Sequence, residues 1–150
     1  MAGLHMTSQT RVLILCTGNS ARSQMAEGLL RHMVGEQVEV VSAGVAPTQV
    51  RREAIDAMRE IGIDISWQRS KSVDEFAGHH FDYVVTVCDN ANQQCPMFSG
   101  KSERIHWSIE DPAEVDGDAD IKLTAFRRAR DILQERLRNW ISKTNLLNPA

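Results

Sequence analysis

The residues Val12-Leu13-Ile14-Leu15 form an unbroken apolar run that ends at Cys16. Such a run, with no polar alternation, is the pattern of a strand buried on both faces of a parallel sheet, here Arg11 to Cys16. Polar turn residues follow, and apolar positions then return at helical spacing. Met25, Ala26, Leu29, Leu30 and Met33 predict a helix from Arg22 to Val34, ended by Gly35. Val38 to Ser42 reads as a second strand, with Ala43-Gly44 turning out of it. Val50, Ala54, Met58 and Ile61 predict a second helix from Pro47 to Ile61, opened by the proline and stopped by Gly62. Ile63-Asp64-Ile65 is a short extended piece, and Ser72 is placed to cap a brief helix from Val73 to Ala77. Tyr83 to Val87 predicts a third strand and Arg104 to Trp107 a fourth. Leu123, Phe126, Leu133, Leu137 and Trp140 then mark one face of the longest helix, Asp120 to Lys143.

Strands alternating with helices predict an α/β fold, a four-stranded parallel sheet flanked by helices on both faces. Residues 11–143 read as one domain, with 1–10 set aside as a disordered or appended N-terminus and 144–150 as a frayed tail. In sheets of this kind ligands sit at the carboxyl ends of the strands. Cys16 ends the first strand, Cys88 follows the third, and Asp111 lies just beyond the fourth. Three reactive residues far apart in the chain are therefore expected on one rim.

Composition narrows the function classes. The 150-residue chain is 42% hydrophobic and 25% charged, enough for one sizeable core. A net charge of −3 and a pI near 5.9 offer no basic footprint for nucleic acid. No apolar run approaches the ~18 residues of a membrane span, and Val12–Leu15 is too short for a signal-peptide core. A cytoplasmic protein is expected, with no nucleic-acid or membrane partner, and a monomer because no heptad pattern is present. The negative charge also means that any anionic ligand must be drawn by local groups. Cys16, Cys88 and Cys95 fit no four-ligand zinc spacing, and an odd count in a reducing compartment argues for catalysis or redox chemistry. His79-His80 reads as a solvated loop pair, and no metal or cofactor is expected.

Local groups of the required kind stand at Cys16-Thr17-Gly18-Asn19-Ser20-Ala21-Arg22-Ser23. A cysteine and an arginine with five residues between them, at a strand-to-helix turn, make an oxyanion cradle. The turn N–H groups point inward, the helix N-terminus adds partial positive charge, and Arg22 supplies a planar fork of donors. The same field favours the thiolate of Cys16, and the Ser23 hydroxyl is placed to donate to it. A buried, inert cysteine at a strand end is the plain alternative. Asn19 is expected to shape the loop through its side chain rather than to touch the ligand.

Cys88 leads into the polar segment Asp89 to Gln94, which ends at Cys95-Pro96. If helical, seven steps of ~1.5 Å separate the two cysteines by about 10 Å. A disulfide accepts a Cα separation of ~7 Å or less, so a bond between them requires the segment to unwind. Few apolar anchors make that opening inexpensive, which reads as a redox-driven switch. Two incidental thiols would have the same spacing. Asp111 before Pro112 reads as an acid at the rim or as a turn residue in an acidic loop.

The blocks CTGNSARSQMAEG at 16–28, SAG at 42–44, VTVC at 85–88 with CP at 95–96, and HW followed by DP within 106–112 carry a family resemblance. From Arg11 to the last helix the chain resembles thioredoxin-coupled arsenate reductases, which share the low-molecular-weight protein tyrosine phosphatase fold. The resemblance implies a cascade. Cys16 attacks the arsenic of arsenate, Arg22 and the loop residues Thr17 to Ser23 hold its oxygens, and Asp111 donates a proton to the departing hydroxyl. Cys88 then attacks the Cys16 adduct, Cys95 carries the oxidation to a Cys88–Cys95 disulfide, and thioredoxin reduces it. Some members bind potassium beside the loop through residues matching Asn19, Glu27 and Ser42 plus a carboxylate. That carboxylate position is Lys71 here, so the expectation is that Lys71 pairs with Glu27 and replaces the ion; an ordinary solvated lysine is the alternative.

Two other functions fit the same residues. A tyrosine phosphatase of this fold needs only Cys16, Arg22 and Asp111. Such enzymes place aromatic residues beside the acid, whereas Ala113 and Glu114 follow Asp111-Pro112 here. A non-catalytic oxyanion-binding redox module is the third reading.

Overall fold

The computed structural model describes residues 9–96, 98, 100–144 and 146–147. Its centre is a four-stranded sheet in the order β2-β1-β3-β4, all parallel, made of β1 (Thr10–Cys16), β2 (Val38–Gly44), β3 (Tyr83–Thr86) and β4 (Glu103–His106). In the middle of the sheet, Val12 to Leu15 have no exposed surface, as a strand covered on both faces requires.

Among the described residues four α-helices complete the fold: α1 (Arg22–Val34), α2 (Arg52–Arg59), α3 (Asp89–Gln93) and α4 (Ala119–Lys143). The pleat of the sheet separates them. Tyr83 turns its ring onto Trp140 of α4, 5.2 Å between centroids, and Trp107 meets the same ring at 6.2 Å. Thr86 and His106, paired in register on β3 and β4, reach instead towards α3 on the opposite face. α4 is capped by Asp118, whose carboxylate accepts from the Ile121 N–H at 2.9 Å, and it buries Phe126, Leu133, Leu137 and Trp140. No helix among the described residues is long and apolar enough to cross a membrane.

The second helix departs from the expected span. It begins at Arg52, and residues 47–51 are not helical. Two of their N–H groups are engaged elsewhere: Thr48 donates to the Gly18 carbonyl at 3.0 Å and Arg51 to the Ser20 carbonyl at 2.8 Å. A tertiary partner has outcompeted the next turn of helix. Gly62, at φ +80°, still ends the element.

Smaller shifts follow a common logic. β2 continues to Gly44 because Ala43 and Gly44 keep pairing with Leu15 and Cys16, so the anticipated turn there is absent. The ends of β3 and β4 differ from expectation by one residue. Ladder bonds nonetheless continue past them, from Val87 N–H to Leu15 and from Trp107 N–H to Thr86, both 2.9 Å. Ser72 caps a single tight turn, Val73–Phe76, through the Asp74 N–H at 3.1 Å. His79 and His80 are exposed loop residues, as expected, and the His79 ring also meets Phe76 edge-on at 5.7 Å. At the ends of the chain, Thr10 already belongs to β1, and Leu146 is buried rather than frayed. Residues 1–8, 145 and 148–150 lie outside the described residues.

Candidate active site

Cys16 is the last residue of β1, and residues 17–21 turn the chain into α1. The carbonyls of this loop face outward because a neighbouring segment takes them. Val45, Ala46, Thr48 and Arg51 donate to the carbonyls of Cys16, Thr17, Gly18 and Ser20 at 3.3, 2.9, 3.0 and 2.8 Å. No backbone carbonyl among the described residues accepts from the N–H groups of residues 17–21. Those donors, with the uncapped first turn of α1, form a nest for an anion. Cys16 Sγ lies at its floor, 2% exposed and 2.8 Å from Ser23 Oγ.

Asn19 holds the loop in this shape. It is the one non-glycine residue among those described with positive φ, +47°, and it is fully buried. Its Nδ2 donates to Ser23 Oγ at 2.7 Å and Ser42 Oγ at 2.9 Å, while Oδ1 accepts from Gln24 Nε2 and the Lys71 N–H, both at 2.9 Å. Ser70 Oγ donates to its carbonyl at 2.6 Å. A left-handed asparagine whose side-chain amide and carbonyl are both multiply bonded is over-determined, which is how such a conformation persists.

The mouth of the nest carries Arg22 and Asp111. Arg22 Nη1 donates to the Ile109 carbonyl at 2.9 Å, and Nη2 stands 3.6 Å from Asp111 Oδ2. The other Asp111 oxygen accepts from the Ala113 N–H at 3.0 Å, so the carboxylate caps the turn Pro112–Glu114 and leans over the loop together. Asp111 is thus a turn residue, as its place before a proline allows, and its second oxygen faces the Arg22 guanidinium.

Cys88 reaches the same rim. It is 5% exposed, and its sulfur is 3.3 Å from Thr17 Oγ1 and accepts from the Ala91 N–H at 3.4 Å. Asn90 Nδ2 donates to the same Thr17 oxygen at 3.0 Å, which leaves the Thr17 proton free to point at the sulfur. Cys95 stands beyond α3, half-buried, its sulfur directed at the Pro96 carbonyl 3.6 Å away. Burial pushes its thiol above the usual range, with Arg104 opposing.

Behind the loop, Glu27 is 2% exposed and multiply bonded. Ser42 Oγ donates to Oε1 at 2.6 Å, Arg31 Nε donates to Oε2 at 2.8 Å, and Lys71 Nζ lies 3.9 Å from Oε1. Lys71 Nζ also donates to the Arg69 carbonyl at 3.0 Å. Burial pushes this ammonium below the usual lysine range, and Glu27 pulls it back. The backbone bond from the Gly44 N–H to the Lys71 carbonyl, 2.8 Å, pins Lys71 at the end of β2.

The low molecular weight phosphotyrosine protein phosphatase family matches residues 11–148. The chain belongs to that family. Within it, an arsenate reductase of Halalkalibacterium halodurans is 43% identical over 129 residues, 86% of this chain and 93% of that protein. A solved arsenate reductase in the oxidized state superposes with a TM-score of 0.77 at 32% identity, covering 90% of this chain and 98% of that one. The thioredoxin-dependent arsenate reductase of Corynebacterium glutamicum gives 0.72 at 26% identity, over 96% of this chain and 66% of that one.

As a member of this family the chain brings Cys16, Arg22, Cys88 and Asp111 to one rim and leaves Cys95 outside it. Sequence reasoning missed several residues that build this site. Gln24 is fully buried, its Nε2 reaching the Asn19 carbonyl at 3.0 Å and the Arg69 carbonyl at 2.9 Å. Gln68 Nε2 in turn donates to Gln24 Oε1 at 2.6 Å. A glutamine beside Met25, on the core side of an amphipathic helix, was the available signal. Thr17 as a partner of Cys88, and residues 45–51 as a brace, had none.

Proposed function

We propose that this chain is an arsenate reductase that passes an oxidation through Cys16, Cys88 and Cys95, acting as a cytoplasmic monomer with thioredoxin as its reductant. The observation that carries this reading is Cys88, a second buried sulfur set 3.3 Å from Thr17 on the loop that bears Cys16. Phosphoester hydrolysis needs a nucleophile, an arginine and an acid, and it has no use for that sulfur. The relatives named arsenate reductase support the substrate, and the thioredoxin-dependent neighbour supports the reductant.

Arsenate sits on the N–H groups of residues 17–21 and the Arg22 fork, with the Ser23 hydroxyl holding the Cys16 thiolate. Cys16 attacks arsenic, an As–O bond breaks, and Asp111 gives its proton to the departing hydroxyl, which leaves as water. Cys88 thiolate then attacks Cys16 sulfur. An S–S bond forms, the S–As electron pair returns to arsenic, and arsenite leaves; two sulfurs have lost two electrons and arsenic has gained them. Cys95 next attacks Cys88, forming Cys88–Cys95 and freeing Cys16 as thiolate. Exchange with the dithiol of thioredoxin resets the chain.

The residues behind the loop do not suit an added cation. Lys71 brings its own ammonium to within 3.9 Å of Glu27, in the place where some relatives are expected to hold potassium. In this reading Lys71 supplies the charge internally.

A coupled assay with thioredoxin, thioredoxin reductase and NADPH tests the function. Arsenate-dependent NADPH consumption that disappears in each of Cys16→Ser, Cys88→Ser and Cys95→Ser is the expected result. Aryl phosphate hydrolysis at full enzymatic rate, untouched by Cys88→Ser and Cys95→Ser and without arsenate turnover, would make the chain a phosphatase instead. Arsenate binding with neither activity would make it a binder.

A further inference from the structure

α3 is five residues long, polar, and buries only Ala91. A helix that short does not stand on its own, so its shape in the dithiol protein comes from outside contacts. One of them stands apart. His106 Nε2 lies 2.8 Å from Asp89 Oδ1, at the first position of α3, and His106 Nδ1 lies 2.7 Å from Thr86 Oγ1. Thr86 and His106 are register partners on β3 and β4, so their spacing is set by the sheet rather than by a loop. The Thr86 hydroxyl also faces Asn92 Oδ1, one turn further along α3, at 3.3 Å. The imidazole is therefore a strut from the sheet to the segment between Cys88 and Cys95. The donors around Asp89, His106 first and Ser108 next, hold its carboxyl below the usual carboxylate range.

We propose that His106 is a positioning residue that latches α3 in the dithiol state, and that closing the Cys88–Cys95 disulfide requires the His106–Asp89 contact to be given up. The proposal rests on the relay reading above. Cys88 caps the start of α3 and Cys95 lies two residues past its end, so the helix at ~1.5 Å per residue plus that extension holds them apart; a disulfide accepts a Cα separation of ~7 Å or less, so α3 opens when the bond forms. A contact made only in the dithiol state favours that state. It keeps Cys88 against Thr17 and the loop until the first disulfide exists, and it makes the outer disulfide easier for a partner dithiol to reduce.

The test is the exchange equilibrium of the full-length protein in glutathione buffers, with Cys88 and Cys95 quantified by alkylation and mass spectrometry. His106→Phe keeps a ring on the strand and removes both hydrogen bonds; Asp89→Ala removes the other end. Each is expected to shift the equilibrium towards the disulfide about five- to tenfold, the upper figure corresponding to a potential about 30 mV more negative. The double variant should shift no further than the larger single, and Asp89→Asn, which keeps an acceptor for His106, should shift less than Asp89→Ala. An unchanged equilibrium in His106→Phe, or shifts that simply add in the double variant, would overturn the latch while leaving the relay standing. A purely structural role predicts that unchanged equilibrium, with both redox forms losing thermal stability alike. If the wild-type protein itself never forms Cys88–Cys95, here or after arsenate treatment, the relay fails and the latch with it.

Discussion

A single methyl group at residue 44 decides whether the anion loop can close. A Cβ on Gly44 would lie 2.6 Å from the Thr17 carbonyl oxygen and 2.8 Å from Asn19 N, both backbone atoms that cannot swing away. Gly44→Ala is therefore expected to lower kcat/KM for arsenate about 100-fold through displacement of the nest, and to weaken phosphate binding measured by calorimetry; native affinity in the variant would show that the loop has slack. A second residue-level prediction concerns Lys71. Steady-state rates of the wild type should be equal in sodium and potassium chloride, since the ammonium already faces Glu27. Lys71→Ala should become potassium-responsive, and marked potassium activation of the wild type would count against the substitution of ion by side chain. Glycine in SAG and lysine at 71 were both visible in the sequence. Why Gly44 must be glycine was not, because the clash is with residues 25 or more positions away.

The clasp between α2 and α4 is an interaction of whole elements with a defined pH dependence. Arg127 and Arg130 of α4 both reach Glu60 just past α2, at 2.6 and 3.1 Å, and their hydrogen bonds hold its carboxyl at about 2 instead of the ordinary 4.5. A carboxyl depressed on folding adds stability that is fully present above its unfolded value and is lost as pH falls through the folded one. Melting temperatures should therefore show a component that fades between about pH 4.5 and 2, and Glu60→Gln should flatten it. An unaltered acid limb in that variant would show the clasp to be idle, as exposed ion pairs often are. At this scale the apolar periodicity located α1 and α4 closely, since their cores are local repeats. It overran α2, because residues 47–51 match a helical pattern yet Thr48 and Arg51 give their N–H groups to the loop.

For the molecule as a whole, the site and the stability are linked through the anion. The nest exists only in the folded chain, so phosphate at 100 times its Kd should stabilise the protein by about 2.7 kcal/mol. Thermal melts with added phosphate should rise by at least ~5 °C, and Arg22→Ala should lose most of that rise. A melt that ignores phosphate would mean that the loop is not a preformed anion site. The order of amino acids determined the parallel α/β sheet, the cysteine-to-arginine loop and the convergence of Cys16, Cys88 and Asp111 on one rim. Each of these follows from short-range pattern: burial on two faces, turn residues, and strand ends in a fixed relation to helices. Only the tertiary structure decided that Asn19 is locked by Ser42 and Lys71, that residues 45–51 turn the loop carbonyls outward, and that His106 props the segment between two cysteines. Those contacts join polar groups across 17 to 52 residues of chain. Hydrogen bonds at such separations leave no periodicity to read, because their partners meet only once the sheet has brought the strand ends together.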